Sequence, residues 1–545
     1  MPCDAGTVKR PSSGPAPHLD LGRTPLTPPA DGYSCWPGVT KAWGHATSRD
    51  LFAWTDHAIA IHDTPSEGSI FSGSVVVDLA AADNATAPAP VLAFFTSHKP
   101  AEEAQYLAFS LDGGYTFAPY VANPLISLRR GDFRDPKVEW HAPSRRWVMV
   151  VTLIDSVVFY GSEDLRAWTR LSVFKPDVYI GGIECPALLR VARRKGRGGA
   201  RATADDELVG EAYVLVLSLG NGGPGFRRSA VKYIVGSFDG TRFTPDAAPR
   251  GLPSSGPGPA TAPAQTYRDL DFGPDAYAAA FFHLPYPAAG LPAYSPAPAN
   301  LVSMAWASSL VYAGDTPTAT PEGWRHCMTA AREHWLDAAT NRLASAPVPP
   351  DPARFAAEVR RADLTPGPEP LVLHSAVGNP ARSFRLRIRA PRNASAAVEL
   401  AFAAPGPAPR EAVVVELALR GDGTARLRLA RQGMRAWRAP DWMRDFGPET
   451  DVESVAAAGG GDDDIREFVV DGVVDRSIAE VYADGGLAAG TMLFFAEGVL
   501  SETALRSAGP VGPVRVDYEE RELVSVWASG GEGRDGAGED EMGEL

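Results

Sequence analysis

The chain has 545 residues, 45% of them hydrophobic, and carries a net charge of -14. That length accommodates two or three domains with full-sized cores, and the acidic balance argues against nucleic acid and anionic membranes as partners. No run approaches the roughly 18 apolar residues of a membrane helix, the opening Met-Pro-Cys-Asp-Ala-Gly lacks the apolar core of a secretory signal, and Cys3, Cys35, Cys185 and Cys327 lack the close spacings of a zinc site or disulfide scaffold.

Residues 1–35 are rich in Pro, Gly and Ser and read as disordered. From residue 36 to about 350 the pattern changes to short β-rich runs separated by Gly, Pro, Asp and Asn turns, the clearest at 75–77, 91–96, 147–153, 157–160, 213–219 and 233–235. Ser48-Arg49-Asp50-Leu51-Phe52-Ala53-Trp54, Ser110-Leu111-Asp112-Gly113-Gly114-Tyr115 and Ser162-Glu163-Asp164-Leu165-Arg166-Ala167-Trp168 are related turn-plus-aromatic units. An approximate repeat of this kind, with no long helical period, favours a propeller among all-β folds. Two acids stand out within it, Asp135 in Phe133-Arg134-Asp135-Pro136 and Glu184 in Gly182-Ile183-Glu184-Cys185-Pro186. A proline follows each acid at once or one residue later, which ends strand pairing and sets both carboxyls at strand ends, where a propeller keeps its pocket. Taken alone, an Asp beside an Arg is more often a surface ion pair. A Pro/Ala-rich stretch at 351–370 marks a linker, and residues 371–528 alternate polar with apolar positions at 384–388, 413–419 and 425–429, as half-buried antiparallel strands do. Segments 193–210, 245–265, 288–299 and 456–464 read as surface insertions, and 529–545 as an acidic disordered tail.

The ordered set Trp43-Gly44-His45-Ala46-Thr47-Ser48, Ile70-Phe71-Ser72-Gly73-Ser74, Phe133-Arg134-Asp135-Pro136, Glu184-Cys185-Pro186, Asn221-Gly222-Gly223-Pro224, Leu270-Asp271-Phe272-Gly273-Pro274-Asp275 and Trp306-Ala307-Ser308 resembles glycoside hydrolase family 32, the invertases, inulinases and levanases. The likeness runs from about Trp43 to Gly498 and leans toward the fungal exo-inulinases. It implies a five-bladed β-propeller followed by a C-terminal β-sandwich, secretion, and exo-acting β-fructofuranosidase chemistry on sucrose, inulin or levan without cofactor or metal. The partners are then fructose-containing oligo- or polysaccharides. Glu184 matches the family's acid/base and Asp135 its transition-state stabiliser. Arg134 would orient them, Phe71 and Ser72 match its substrate-contacting pair, and Trp306 matches an aromatic wall, with core packing the alternative. Ile183 stands where Trp is common, which touches one leaving-group contact. Two sequons, Asn84-Ala85-Thr86 and Asn393-Ala394-Ser395, suit a secreted protein.

One part of the family pattern is missing. Retaining cleavage needs a nucleophile and a proton donor around an oxocarbenium-like transition state. The family's nucleophile is the Asp of an Asn-Asp-Pro-Asn-Gly motif near the N-terminus, whereas here the first Asn is Asn84 and the first Gln is Gln105. Asp4, Asp20 and Asp31 are the acids available before Trp43, and none lies in a β-run that would hold it to catalytic tolerance. The first blade is therefore expected to be incomplete and hydrolysis by this polypeptide weak or absent. Either the written start lacks the true one, or the chain is a carbohydrate-binding pseudoenzyme. A fructosyltransferase uses the same residues and stays open, while an arabinanase-type propeller lacks the Arg-Asp-Pro and Glu-Cys-Pro pairing.

Overall fold

The computed structural model describes residues 18–19, 41–64, 68–78, 89–176, 182–195, 207–220, 229–246, 267–284, 300–318, 326–378, 381–406, 410–436, 447–456, 465–509 and 512–524. These form strands joined by turns and a few single-turn 3-10 helices. The acids and cysteines before Trp43, Asn84, the Asn221-Gly222-Gly223-Pro224 motif, most of the four insertions and the acidic tail lie outside the described residues.

The first half is a run of antiparallel meanders. His18–Leu19, Trp43–Ser48 and Trp54–Ile61 form a three-stranded sheet, and Ser69–Val77, Val91–Lys99 and Glu102–Ser110 carry the second. Arg134–His141, Arg146–Leu153, Ser156–Ser162 and Thr169–Phe174 make the third. A meander from Ile183–Arg194 to Phe243–Pro245 and another from Tyr277–Leu284 to Arg342–Pro347 are linked by a short parallel contact, Arg193 to Leu336 and Arg194 to Asp337. Buried apolar side chains from successive sheets meet in shared clusters, such as Leu92, Phe94 and Leu107 with Val138, Met149 and Val158. This sheet-on-sheet packing is consistent with a β-propeller.

The turn repeat has a physical origin. In Ser162-Glu163-Asp164-Leu165 the Asp164 carboxylate accepts the N–H groups of Arg166 at 2.9 Å and Ala167 at 2.7 Å, while Ser162 Oγ accepts that of Leu165 at 2.8 Å. The same bonds recur at Ser48 and Asp50. The residue after each Asp is left-handed, with φ of 66° at Leu51, 91° at Gly113, 65° at Leu165 and 93° at Gly240. Ser237-Phe238-Asp239-Gly240 is thus a fourth copy, whose N–H acceptor pattern is shared by Asp239. Glycine takes this conformation without steric cost, whereas Leu51 and Leu165 offset it by burying their side chains.

The second half is two facing sheets, one of seven strands including Ala381–Pro391 and Ile465–Asp475, one of six including Ala396–Ala403 and Ala412–Leu419. One core fills the space between them, with Leu386, Ile388, Leu400, Val413, Leu427 and Val516 essentially inaccessible. Along Ala381–Pro391 burial alternates residue by residue, and the outward Arg385 and Arg389 pair with Asp471 and Asp517 on neighbouring strands. The stretch 351–370 is not a plain linker. Phe355–Leu364 is an edge strand of the seven-stranded sheet, paired with Arg515–Leu523. Its mostly exposed residues gave no alternation to read, which is why composition pointed to a connection instead. Asn393 lies exposed in a turn.

Candidate active site

Four strands of the first half carry a register slip at matching places. The slips fall between Phe71 and Gly73, between Arg134 and Lys137, between Glu184 and Ala187, and between Tyr277 and Ala280. Asp135, Cys185 and Ala278 have φ of 65°, 43° and 48°, a conformation L-residues avoid unless their surroundings enforce it. A bulge of this kind re-aims the side chains beside it. Here Ser72, Asp135, Lys137, Cys185 and Ala278 come to line one cavity of about 40 Å³. Cavities that take sugar-sized ligands run to several hundred Å³, so this one is a floor beneath the acids and not the sugar site itself. Gly73 is required at its bulge, because a Cβ there would lie 1.8 Å from Phe94 O.

Arg134 joins the two predicted acids. Its Nη2 donates to Glu184 Oε1 at 3.2 Å, and its Nη1 donates to Glu103 Oε2 and to Asp132 Oδ1, each at 3.1 Å. Burial works to lower the Arg134 pKa, but the carboxylates of Asp135, Glu103 and Glu184 outweigh it and raise the pKa, which keeps the guanidinium charged. Asp135 is 5% exposed, and its Oδ2 accepts the Cys185 N–H at 2.8 Å. Burial pushes its pKa up to about 6, with Arg134 opposing and Glu184 adding to the rise. Glu184 is held from its other side by the Tyr277 hydroxyl, which donates to Oε2. Burial, then the Glu184 charge, raises the Tyr277 pKa far above its usual value, so the phenol remains a donor. Lys137 donates to Phe281 O at 2.9 Å and pairs with Glu139 at the floor.

A buried layer sets the Arg-Asp peptide. Glu103 Oε2 accepts the Phe133 N–H at 2.9 Å, Gln105 Nε2 donates to Phe133 O at 2.7 Å, and Thr96 Oγ1 accepts the Asp135 N–H at 2.9 Å. Thr96 Oγ1 in turn donates to Gln105 Oε1 at 3.0 Å. Glu103 and Gln105 share one face of their strand through period-2 alternation. Buried polar groups nearly always find partners. Among the described residues, Ser218 Oγ, opposite Glu184 in the ladder, Trp306 Nε1, opposite Tyr277, and Ser308 Oγ find none.

The structure brings together Arg134, Asp135, Glu184 and Ser72, and sets the two predicted aromatics apart as supports. The Phe71 ring lies between a parallel His98 ring 4.3 Å away and Lys41 Nζ at 4.5 Å, so both its faces are covered. Trp306 is 2% exposed and packs edge-on against Tyr277 and His326, outside the cavity wall. Ile183 is wholly buried among Val148, Phe159 and Leu217, which makes it a core residue and not a contact for a leaving group. Tyr277 and Glu103 had escaped notice. Tyr277 carried a weak signal, two residues past the buried Asp275, and Glu103 carried none.

The profile described as Glycosyl hydrolases family 32 N-terminal domain matches residues 32–347. An extracellular exo-inulinase of Meyerozyma guilliermondii is 34% identical over 306 residues, covering 55% of this chain and 51% of that protein. An invertase of Schizosaccharomyces pombe is 35% identical over 307 residues, covering 54% and 45%. The chain therefore spans about half the length of the curated relatives it matches. Over the whole fold it is similar to the fructofuranosidase of Schwanniomyces occidentalis complexed with fructose, with a TM-score of 0.76, 25% identity and 96% of each chain covered. The exo-inulinase of Aspergillus awamori shares the fold, with a TM-score of 0.72 at 22% identity and 96% of each chain covered.

Proposed function

We propose that this chain, which belongs to glycosyl hydrolase family 32, carries the proton-transfer and transition-state half of a β-fructofuranosidase acting on the non-reducing ends of sucrose, inulin or levan. The observation that carries this reading is the Arg134 fork, which ties Glu184 to the strand that holds Asp135. In this reading Glu184 protonates the departing glycosidic oxygen and later activates the acceptor, while Arg134 and Tyr277 hold its carboxylate in place. Asp135, anchored by the Cys185 N–H, grips fructosyl hydroxyls as positive charge develops on the ring. Ser72 lines the cavity beside Asp135. The same reading takes the 10-stranded sheet as two meanders, which with the three smaller sheets would make five blades, followed by a sandwich from Phe355 onward. Its relatives' names favour an extracellular protein with fructose-containing saccharides as partners.

The nucleophile is the open element. The family's Asn-Asp-Pro-Asn-Gly motif does not occur in the sequence, and this favours a second reading, saccharide binding with impaired turnover. A fructosyltransferase would rest on the same residues. The test incubates the 545-residue protein with sucrose, inulin and an aryl β-fructofuranoside, following release of the leaving group and formation of fructose or fructosyl azide with and without added azide, alongside calorimetric titration with the same sugars. Azide-dependent release of the aryl group, abolished by Asp135→Asn, is the expected outcome, because a small anion can replace a missing carboxylate nucleophile when the rest of the site is in place. Binding without release under any condition would leave the second reading standing. Neither binding nor release would overturn both.

A further inference from the structure

We propose that the β-sandwich positions the acid/base of the propeller half through a buried carboxylate at Asp275, and that Asp275, Tyr312 and Arg431 are positioning residues for Glu184. The inference rests on Glu184 being the acid/base. The loop that begins at Asp271 docks on the sandwich strand Ala488–Leu493 as an irregular extra strand. Phe272 N–H donates to Ala489 O at 2.8 Å and Asp275 N–H to Thr491 O at 3.3 Å. The approach is close enough that a Cβ on Gly273 would lie 2.0 Å from Thr491 O. Asp275 is fully buried, and its carboxylate bridges the two halves. Oδ2 accepts the Leu493 N–H at 2.7 Å and lies 3.9 Å from Arg431 Nη1, which itself donates to Leu493 O at 2.5 Å. Oδ1 accepts from the Tyr312 hydroxyl.

Two routes lead from this carboxylate to Glu184. Along the chain, Tyr277 follows two residues later and places its hydroxyl on Glu184 Oε2. Through space, Tyr312 holds the segment after Trp306, where its N–H donates to Ser309 O at 3.1 Å. Ser309 Oγ accepts the Ser229 N–H at 3.3 Å, and Ser229 Oγ donates to Gly220 O and accepts the Leu310 N–H, both at 3.0 Å. Gly220 closes the ring, since a Cβ there would stand 3.4 Å from the Tyr277 hydroxyl and 3.7 Å from Glu184 Oε2. A buried carboxylate with two hydrogen-bond donors and a guanidinium beside it is costly to displace. Its position therefore transmits to the acid, where a shift of about 1 Å can cost about a hundredfold in rate.

The test compares Asp275→Asn and Tyr312→Phe with Arg382→Met in the full chain. Among the described residues, Arg382 bonds to Thr503 and Leu500 and stacks on the Phe402 ring, all inside the sandwich. On sucrose, the first two variants should lose about tenfold or more in kcat with KM within about twofold, and lose less on an aryl fructoside that needs little protonation. Arg382→Met should lower the melting temperature and leave the ratio of the two kcat values unchanged. Equal losses on both substrates would overturn the positioning role. If the parent chain turns over neither substrate with or without azide, the hydrolase reading fails separately, and hydrogen exchange decides this one. Faster exchange at 183–185 and 308–312 in Tyr312→Phe supports it, and unchanged exchange overturns it.

Discussion

At Asp135 function and stability pull in opposite directions. Its carboxyl is buried and its pKa stands at about 6, above the roughly 3.9 of an unfolded Asp. A folded pKa above the unfolded one means that the native state keeps its proton longer, so stability is lost as pH rises from about 4 through 6. Asp135→Asn should therefore raise the melting temperature at pH 7 while leaving it little changed at pH 4, a gain on the order of 2–3 kcal/mol. Thermal melts at the two pH values check this, and an equal shift at both would place Asp135 outside the buried site. Activity should move the other way, because the asparagine keeps the shape and loses the charge that the transition state uses. At this scale the motifs singled out Arg134, Asp135 and Glu184, although the strands Arg134–His141 and Ile183–Arg194 begin at or next to these residues and run on past Pro136 and Pro186 instead of ending there. Tyr277 and Glu103 were not singled out, because their roles exist only after residues 93 and 31 positions apart in sequence have been folded together.

At the scale of elements, the repeated Ser-x-Asp turns are where local chemistry dominates. Asp164 has its pKa lowered because the N–H groups of Ala167 and Arg166 outweigh the burial that would raise it, and Asp50 is lowered in the same way. Asp239 is lowered chiefly by the Arg242 and Thr241 N–H groups. For a depressed carboxyl the sign is the reverse of that at Asp135. The stabilisation is present above the unfolded pKa and lost as pH falls through the folded one. Asp164→Asn should accordingly lower the melting temperature near pH 7, with the difference shrinking between about pH 5 and pH 3. A difference that is independent of pH would mean the carboxylate charge plays no part in the turn. These turns were readable as a repeat because the aspartate and the aromatic recur at fixed offsets. The fourth copy, at Ser237 to Gly240, ends the strand Ala230–Phe238 as the others end theirs at Ser48, Ser110 and Ser162.

At the scale of the whole molecule, the two halves are joined by a buried charge cluster alongside apolar contacts such as Ala307 and Tyr312 with Leu493 and Phe495. Arg332 donates to Asp271 Oδ2 at 2.7 Å and to Glu480 Oε2 at 2.7 Å, and Tyr482 donates to the same Glu480 oxygen at 2.7 Å. All four residues are nearly inaccessible. Arg332→Met would strand two buried carboxylates, with an expected loss of about 3–5 kcal/mol. Calorimetry should then show one cooperative transition broadening or splitting in two as the halves uncouple. A single unshifted transition would show that the interface stands without the cluster. What the sequence determined by itself was the all-β class, the family and many of the strand positions, because these follow from alternation, turn chemistry and short local motifs. What only the tertiary structure decided was which residues hold Asp135 and Glu184, that Phe71 and Trp306 act as packed supports, and that Phe355–Leu364 belongs to the sandwich. Each of these depends on which distant strands come to share a sheet or a core, and burial and pairing partners are properties of the assembled fold.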